Sequence, residues 1–549
     1  MSSPRPVPRR PLARLGVLAA AALLAVTGCT PGGGSDGADA SDGGADQGAA
    51  STGTGTAELA ELGTSHAADL DVDPASDPAY AQYYDQQIDW GACEDVSGSD
   101  GLECGTLTVP LAWDDPSAGD VELAVARQGA TVDATGSLVV NPGGPGGSGV
   151  DMAAQADAYF SADVMASYDV IGFDPRGVAR SQGIDCLSDA DLDQMRSDTF
   201  DLLTEGGELV QDPWVQRLGE GCEADPDSAE LLPYLDTASS ARDLDVLRAA
   251  VGSEELDYFG YSYGTFLGST YAGLYPERVG RMVLDGAVDP TLTADDFSTG
   301  QAGGFEQATR TFLEDCLEQG EGECPFTGDV DAAVQQLLDL FETAESDPLP
   351  TDDPDRPLTG ALARSAVLML MYDDSSWQYG REGLAAALDG DGQILLNIAD
   401  QSASRNRDGS YSGNGNEVIT AVNCLDRPGL ASEEEETALA EQLAQDDPVW
   451  GSSFSYAATT CGYWPEKPVR EPAPVSADGT APIVVIGTTG DPATPYAWAE
   501  ALADQLSSGV LLTFEGNGHT AYGRSGGCIE EQVDAYLLEG TAPAEGTRC

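Results

Sequence analysis

Residues 256–264, with the sequence LDYFGYSYG, constrain the fold of this chain more than any other stretch. A short apolar run leads into Gly-Tyr-Ser-Tyr-Gly, and the helix-like sequence TFLGSTYAGLY follows. In such a strand, sharp turn and helix, the serine lies on strained backbone with its hydroxyl exposed, and glycines are needed where strand and helix pass too close for a Cβ atom. We therefore predict Ser262 as a nucleophile, although among 66 glycines the pattern can also arise by chance.

Strand and helix patterns alternate on both sides of this turn. Buried-strand patterns occur at residues 137–140, 168–177, 279–286, 482–487 and 510–516, the second ending in a polar turn, and helical patterns occur at 495–506 and 528–540. A further helix is predicted at 240–251, where Ser240 and Asp243 fit a capping box. Strands alternating with helices predict an α/β fold with a mostly parallel sheet flanked by helices.

Residues 291–475 interrupt this alternation with a mainly helical pattern. We interpret them as a helical cap inserted between two parts of one core, residues 79–290 and 476–549; a separate domain is the alternative. The chain shows no internal repeat.

The first residues have the pattern of an export signal. Arginines precede an apolar run that is too short to span a membrane, and Val-Thr-Gly-Cys follows, as in a bacterial lipobox. We predict a signal peptide at 1–28 and lipidation of Cys29, which would anchor a cell-surface lipoprotein; an ordinary secretory signal is the alternative. Residues 29–78, which include His66, are predicted to form a disordered tether because they contain few large apolar side chains.

The charge and the cysteine content of the chain indicate which compartment and which classes of binding partner suit it. A formal net charge of −70 makes a nucleic-acid partner improbable, because phosphate would be repelled. Eleven cysteines minus Cys29 leave ten, which suits five disulfides in an oxidising compartment. Neighbours in sequence suggest five pairs, although other connectivities stay open: Cys93 with Cys104, Cys186 with Cys222, Cys316 with Cys324, Cys424 with Cys461, and Cys528 with Cys549. With two histidines and no C-x-x-C, we expect no metal site, and we expect no cofactor.

A serine nucleophile needs a base, usually a histidine oriented by a carboxylate. His519 is the one histidine outside the predicted tether, and it follows the strand pattern at 510–516. Asp491 ends the preceding strand pattern and gives the chain order Ser, Asp, His. Asp285 and Asp289 are the rival acids.

Acyl transfer also needs donors for the developing oxyanion. The backbone amide of Tyr263, directly after the nucleophile, is one candidate. Gly144, in the loop NPGGPGG after the strand at 137–140, is the other. A flexible linker or a phosphate cradle would be alternative interpretations of that loop, which lacks the lysine of a P-loop.

Five motifs occur in one order: NPGGPGGSG, DPRGVARS, GYSYGTFLG, GDPATP and GNGHTAYG. From about residue 85 to the end, the chain resembles the α/β-hydrolase peptidases of the proline iminopeptidase and tripeptidyl aminopeptidase group, in the exported type with a TAP-like C-terminal region. The resemblance implies a triad of Ser262, Asp491 and His519, and oxyanion donors at Gly144 and Tyr263. Pro142 stands where the iminopeptidases have a histidine. This difference leaves the backbone role of the loop intact but argues against the same substrates as those of the iminopeptidases.

The resemblance implies a serine hydrolase that releases residues or tripeptides from peptides with a free N-terminus. In such enzymes, acids of the cap bind the substrate amine. A carboxylesterase or lipase with the same triad is the first alternative, and a non-catalytic peptide-binding lipoprotein is the second.

Overall fold

The computed structural model describes residues 59–67, 70, 72–94, 96, 101–132, 134–198, 213–320 and 322–549. The predicted signal peptide, Cys29 and the first part of the predicted tether lie outside these residues. Across the described ranges, the search for a helix with the length and apolarity of a membrane span finds none.

One sheet of ten strands forms the centre of the described structure. The strands are β1 (Gly91–Ala92), β2 (Leu102–Pro110), β3 (Asp120–Gln128), β4 (Gly136–Asn141), β5 (Tyr168–Phe173), β6 (Leu256–Tyr261), β7 (Val279–Asp285), β8 (Ile483–Gly490), β9 (Gly509–Asn517) and β10 (Thr547–Arg548). Their order is β1-β2-β3-β5-β4-β6-β7-β8-β9-β10. The pairs among β1, β2, β3 and β5 are antiparallel, and every pair from β5 to β10 is parallel. The predicted mostly parallel sheet is confirmed.

Helices cover both faces of this sheet. Before the cap they are α1 (Ala81–Tyr84), α2 (Gly149–Ala154), α3 (Ala156–Tyr159), α4 (Ala162–Ser167), α5 (Asp189–Ser197), α6 (Pro213–Ala224), α7 (Pro226–Leu231), α8 (Thr237–Ala250) and α9 (Tyr263–Leu274). Short 3₁₀ helices lie at Pro74–Ser76, Pro78–Tyr80, Leu232–Tyr234, Pro276–Arg278, Asp374–Ser376 and Gly451–Phe454. Alternate strand residues enter opposite apolar layers: Val139 packs in the layer that holds α8 and α9, and Val140 in the layer that holds α19 (Cys528–Glu539). Because both faces are covered, the central strands β4 and β8 carry unbroken apolar runs, at residues 138–140 and 483–486.

Between β7 and β8 the chain forms a helical layer with its own apolar core. Its helices are α10 (Ala294–Gln319), α11 (Val330–Ser346), α12 (Gly360–Leu370), α13 (Trp377–Leu388), α14 (Gln393–Ser402), α15 (Gly415–Asp426), α16 (Glu433–Asp446) and α17 (Ala457–Gly462). Phe312, Leu337, Phe341 and Leu395 are buried in that core. The chain then returns to the sheet through β8, α18 (Tyr496–Gln505) and β9. We call residues 291–475 the cap.

The described part of the predicted tether differs from the prediction. Leu59 forms a bridge with Leu430 of the cap, and Ala67 is buried. His66 Nδ1 lies 3.0 Å from Asp114 Oδ2. This segment has few large apolar residues with which to form a core of its own, and it is ordered by its contacts with the rest of the chain. The prediction of a disordered tether is therefore wrong for the described residues between 59 and 78, and His66 belongs, like His519, to the folded part of the chain.

Helix α8 begins earlier than predicted. Its N-cap is Asp236, which accepts a hydrogen bond from the Ser239 amide, so the predicted cap residue Ser240 lies inside the helix. Asp243 is fully buried and pairs with Arg176 at 2.7 Å, while it also accepts from the Trp113 indole. A carboxylate engaged by a distant arginine imitates a capping box in sequence, which explains the error.

The five predicted cysteine pairs are all confirmed. The bridges are Cys93–Cys104, Cys186–Cys222, Cys316–Cys324, Cys424–Cys461 and Cys528–Cys549. Each closes a loop of at most 37 residues in sequence separation. In the chain-entropy account, loops of this size contribute about 2–4 kcal/mol each.

Candidate active site

The turn between β6 and α9 places Ser262 at the carboxyl end of the sheet. Ser262 has φ 54° and ψ −122°, a region that non-glycine residues seldom adopt. A Cβ at Gly260 would collide with the Gly264 carbonyl oxygen, and one at Gly264 would lie 2.9 Å from the Asn141 carbonyl oxygen. The two glycines thus permit the close approach of strand and helix that holds the serine in its strained conformation.

His519 and Asp491 lie together in the loops after β9 and β8. His519 Nδ1 is 2.9 Å from Asp491 Oδ1, and both side chains are buried. Asp491 also accepts from the amides of Ala493, Thr494 and Thr520, which fix its position. Because a carboxylate oxygen accepts, Nδ1 of the neutral imidazole carries the proton and Nε2 is left as the acceptor nitrogen.

Ser262 and His519 both contact the end of β7. The Ser262 amide donates to the Asp285 carbonyl oxygen at 2.8 Å. The next residue, Gly286, packs against the His519 ring, since a Cβ there would lie 3.1 Å from Cε1. Nε2 of His519 is buried and has no hydrogen-bond partner within the residues that the structure describes. A free Nε2 can accept the proton of a nucleophile that attacks a bound substrate, as a general base does.

The two predicted oxyanion donors flank Ser262. The Gly143 amide is occupied, because it donates to Asn141 Oδ1 at 2.9 Å, whereas the Gly144 amide has no acceptor in the described part of the chain. Tyr263 is the first residue of α9, where amides have no partner within the helix. Gly144, Ser262 and Tyr263 line one pocket. The positive end of the α9 dipole favours negative charge there.

Asp285, a rival acid in the sequence, has a different position. Its carboxylate accepts from the amides of Ala521 and Tyr522, at 3.0 and 2.8 Å, just after His519. Burial raises its pKa to about 7, against the lowering effect of these two amides. Asp285 therefore anchors the histidine loop and does not contact the imidazole nitrogens. Asp289, the other rival, accepts from Thr291 and Gln505.

A cavity opens above Ser262, between the core and the cap. Its apolar walls include Val288, Phe297, Phe305, Leu368, Ile419 and Phe454. Its polar cap residues are Gln301, Tyr372, Asn423, Arg427 and Ser453. No carboxylate lines the cavity among the described residues, in spite of the acidity of the chain.

Arg427 is the cation of this cavity. Its Nη1 donates to Asn423 Oδ1 at 2.6 Å, and its guanidinium lies 4.4 Å from the centre of the Phe297 ring. Burial lowers its pKa to about 10. The sequence analysis did not identify the cap residues that line the cavity. The apolar periodicity of a cap helix is the same whether its apolar face packs on a protein core or lines a substrate cavity.

The relatives of this chain are hydrolases. The serine protease Hip1 of Mycobacterium tuberculosis is 38% identical over 480 residues, which cover 84% of this chain and 91% of that protein. Carboxylesterase B of the same species is 36% identical over 84% of this chain and 90% of its own length. Tripeptidyl aminopeptidase of Streptomyces coelicolor is 31% identical over 84% and 86%.

Residues 447–549, which contain Asp491 and His519, match the family described as TAP-like protein. The solved proline iminopeptidase of Mycobacterium smegmatis is 14% identical, with a TM-score of 0.32 over 79% of this chain and 98% of that one. Because this likeness is too low to define a family, the family of the chain follows from its relatives in sequence. With 31–38% identity to them over 84% of its length, the chain belongs to the α/β-hydrolase family of the Hip1 serine proteases and tripeptidyl aminopeptidases, and it is a serine hydrolase.

Proposed function

We propose that this serine hydrolase is an exported aminopeptidase that releases short peptides from the free N-termini of peptides. The observation that carries the proposal is the buried pair of His519 and Asp491, which leaves Nε2 free and packs against the same end of β7 that holds the strained turn of Ser262. Relatives named serine protease and tripeptidyl aminopeptidase favour a peptide bond as the target.

The proposed reaction passes through an acyl-serine. Ser262 Oγ attacks the substrate carbonyl carbon while His519 Nε2 takes the hydroxyl proton. The amides of Gly144 and Tyr263 donate to the oxyanion. His519 then gives the proton to the leaving amine as the C–N bond breaks, and water repeats the sequence to release the peptide acid. Asp491 holds the imidazole tautomer and stabilises the imidazolium that forms.

The lining of the cavity bears on the length of the released peptide. A bound ammonium group needs an opposite charge when it is taken out of water. Since no carboxylate lines the described cavity beside Ser262, the substrate amine binds farther away. Each residue of an extended chain spans about 3.3–3.6 Å, so an acyl group of two or three residues carries its amine roughly 7–11 Å from the scissile carbonyl.

An esterase is the second candidate, because the relative named carboxylesterase B is 36% identical over most of this chain. Both reactions pass through the same acyl-serine, and the cavity beside Ser262 decides which acyl group fits.

The triad predicts a specific loss of activity. Ser262→Ala, His519→Ala and Asp491→Asn should each reduce kcat by about 10³-fold or more, because they act as one unit. Ser262→Ala should also abolish labelling by a fluorophosphonate probe, while Ser346→Ala, on an exposed cap residue, should label as the wild type does. Labelling of the Ser262→Ala protein would contradict the assignment, and near-ultraviolet circular dichroism checks that each variant is folded.

The substrate proposal predicts a preference for tripeptides with a free amine. A tripeptide p-nitroanilide should be cleaved faster than its N-acetylated twin and faster than the single-residue p-nitroanilide. Kinetics of the three compounds, with mass spectrometry of products from a longer peptide, measure this preference. Equal cleavage of free and blocked peptides, or hydrolysis of esters alone, would exclude the aminopeptidase.

The buried carboxyl of Asp285 predicts a pH-dependent stability. Its pKa in the folded protein is raised to about 7, so the stability that its protonated form contributes is present at low pH and is lost as the pH rises towards 7. Asp285→Asn removes this loss. From pH 5 to pH 8 the free energy of unfolding of the wild type should fall by about 2–3 kcal/mol relative to that of the variant. Urea unfolding at both pH values tests this, and a constant difference would contradict it.

We also propose that a lipid on Cys29 anchors the protein to the outer face of the cell membrane. The lipobox-like sequence before Cys29 and the long segment poor in large apolar residues after it support this location. The five disulfides suit an oxidising compartment. Cys29→Ala should move the enzyme from the membrane fraction of the cells to the medium. An unchanged distribution of enzyme between the two would contradict the anchor.

A further inference from the structure

Two cap residues that line the cavity carry hydroxyl groups without a hydrogen-bond partner in the described part of the chain. They are Tyr372 Oη and Ser453 Oγ, and their residues are 7% and 4% exposed. A buried polar group without a partner costs free energy in the folded protein, so most buried hydroxyls are paired. Two such groups in one cavity, together with the free Nε2 of His519 beside it, concentrate unused hydrogen-bonding capacity where a substrate must bind.

The two hydroxyl groups belong to one part of the cavity roof. Phe305 of α10 lies between their segments, with its ring centre 5.6 Å from that of Tyr372 and 5.5 Å from that of Phe454, the neighbour of Ser453. The Tyr372 ring meets the His519 ring edge to face at 5.4 Å, and the Tyr372 carbonyl oxygen accepts from the His519 amide. This part of the roof is therefore next to the base.

The surroundings define what these hydroxyls can bind. Their neighbours Phe305, Phe454 and Leu368 are apolar, and no carboxylate lines the described cavity that would hold a cation. Burial, and next the charge of Asp491, raise the pKa of Tyr372, so its hydroxyl keeps its proton and can donate. Neutral donors among apolar walls suit uncharged acceptors such as peptide carbonyl oxygens.

We propose that Tyr372 and Ser453 are substrate-binding residues that donate hydrogen bonds to backbone carbonyl oxygens of the bound peptide. The proposal rests on the proposed peptidase function, and it names the groups of the cap that recognise an uncharged peptide backbone. Selectivity for peptides over small esters then arises in the cap, because an acetyl ester has no backbone carbonyl group besides the one that reacts.

The test compares two substrates in variants that lack only an oxygen atom. Tyr372→Phe and Ser453→Ala should each lower the ratio of kcat/KM for a tripeptide p-nitroanilide to kcat/KM for p-nitrophenyl acetate by about 3- to 10-fold, mainly through KM. Ser453→Thr, which keeps a hydroxyl, should restore much of the ratio. The thermal midpoint should stay level or rise, since each variant removes an unpaired buried group.

Two cap variants with no group in the cavity serve as controls. Tyr379→Phe and Ser346→Ala change exposed residues and should leave the ratio as in the wild type. An unchanged ratio in Tyr372→Phe and Ser453→Ala would overturn the inference alone. Equal loss on both substrates with a lower thermal midpoint would also overturn it, because the hydroxyls would then support the fold. A wild type that hydrolyses the ester and no peptide would instead refute the proposed function, and the inference with it.

Discussion

The close approach of β6 and α9 at Gly260 and Gly264 is the constraint on which the rest of the site depends. It forces the strained backbone of Ser262 and directs the first amides of α9 at the reacting centre. The strained residue is held on its other side by β7, through the hydrogen bond from the Ser262 amide to the Asp285 carbonyl oxygen. Since the Asp285 carboxylate holds the loop of His519, one residue links the nucleophile to the base.

The cap completes a site that the sheet begins. Helices α10 to α14 share an apolar core of their own, whereas α15 packs into the layer of α8 and α9 through Val418 and Val422. Among the contacts of the cap with the loops of the site, the Tyr372 carbonyl oxygen accepts from the His519 amide, and Gly415 at the start of α15 lies against Gly146 of the glycine-rich loop. The position of the cap and the position of the base are therefore coupled through direct contacts.

The chain as a whole is strongly acidic, whereas the described residues that line its cavity include an arginine and no carboxylate. A net charge of −70 keeps the surface hydrated and repels anions at long range, but these are properties of exposed carboxylates. Inside the cavity, Arg427 and neutral hydroxyl and amide groups lie among aromatic rings. The composition thus argues against a nucleic-acid partner, but it does not reveal the cap side chains that line the cavity.

Local sterics and chain order let the sequence by itself predict the parallel sheet, the turn at Ser262, the five disulfides, and Asp491 and His519 as neighbours. Each of these follows from short-range rules: a period of apolar residues, a glycine that must lack a Cβ, and strands whose carboxyl ends share one edge. The tertiary structure decided the start of α8, the folded position of His66 and the roof formed by Tyr372 and Ser453. These depend on side chains that are distant in sequence, such as Arg176 for Asp243, Asp114 for His66 and Phe305 for Tyr372, and no local pattern records such partners.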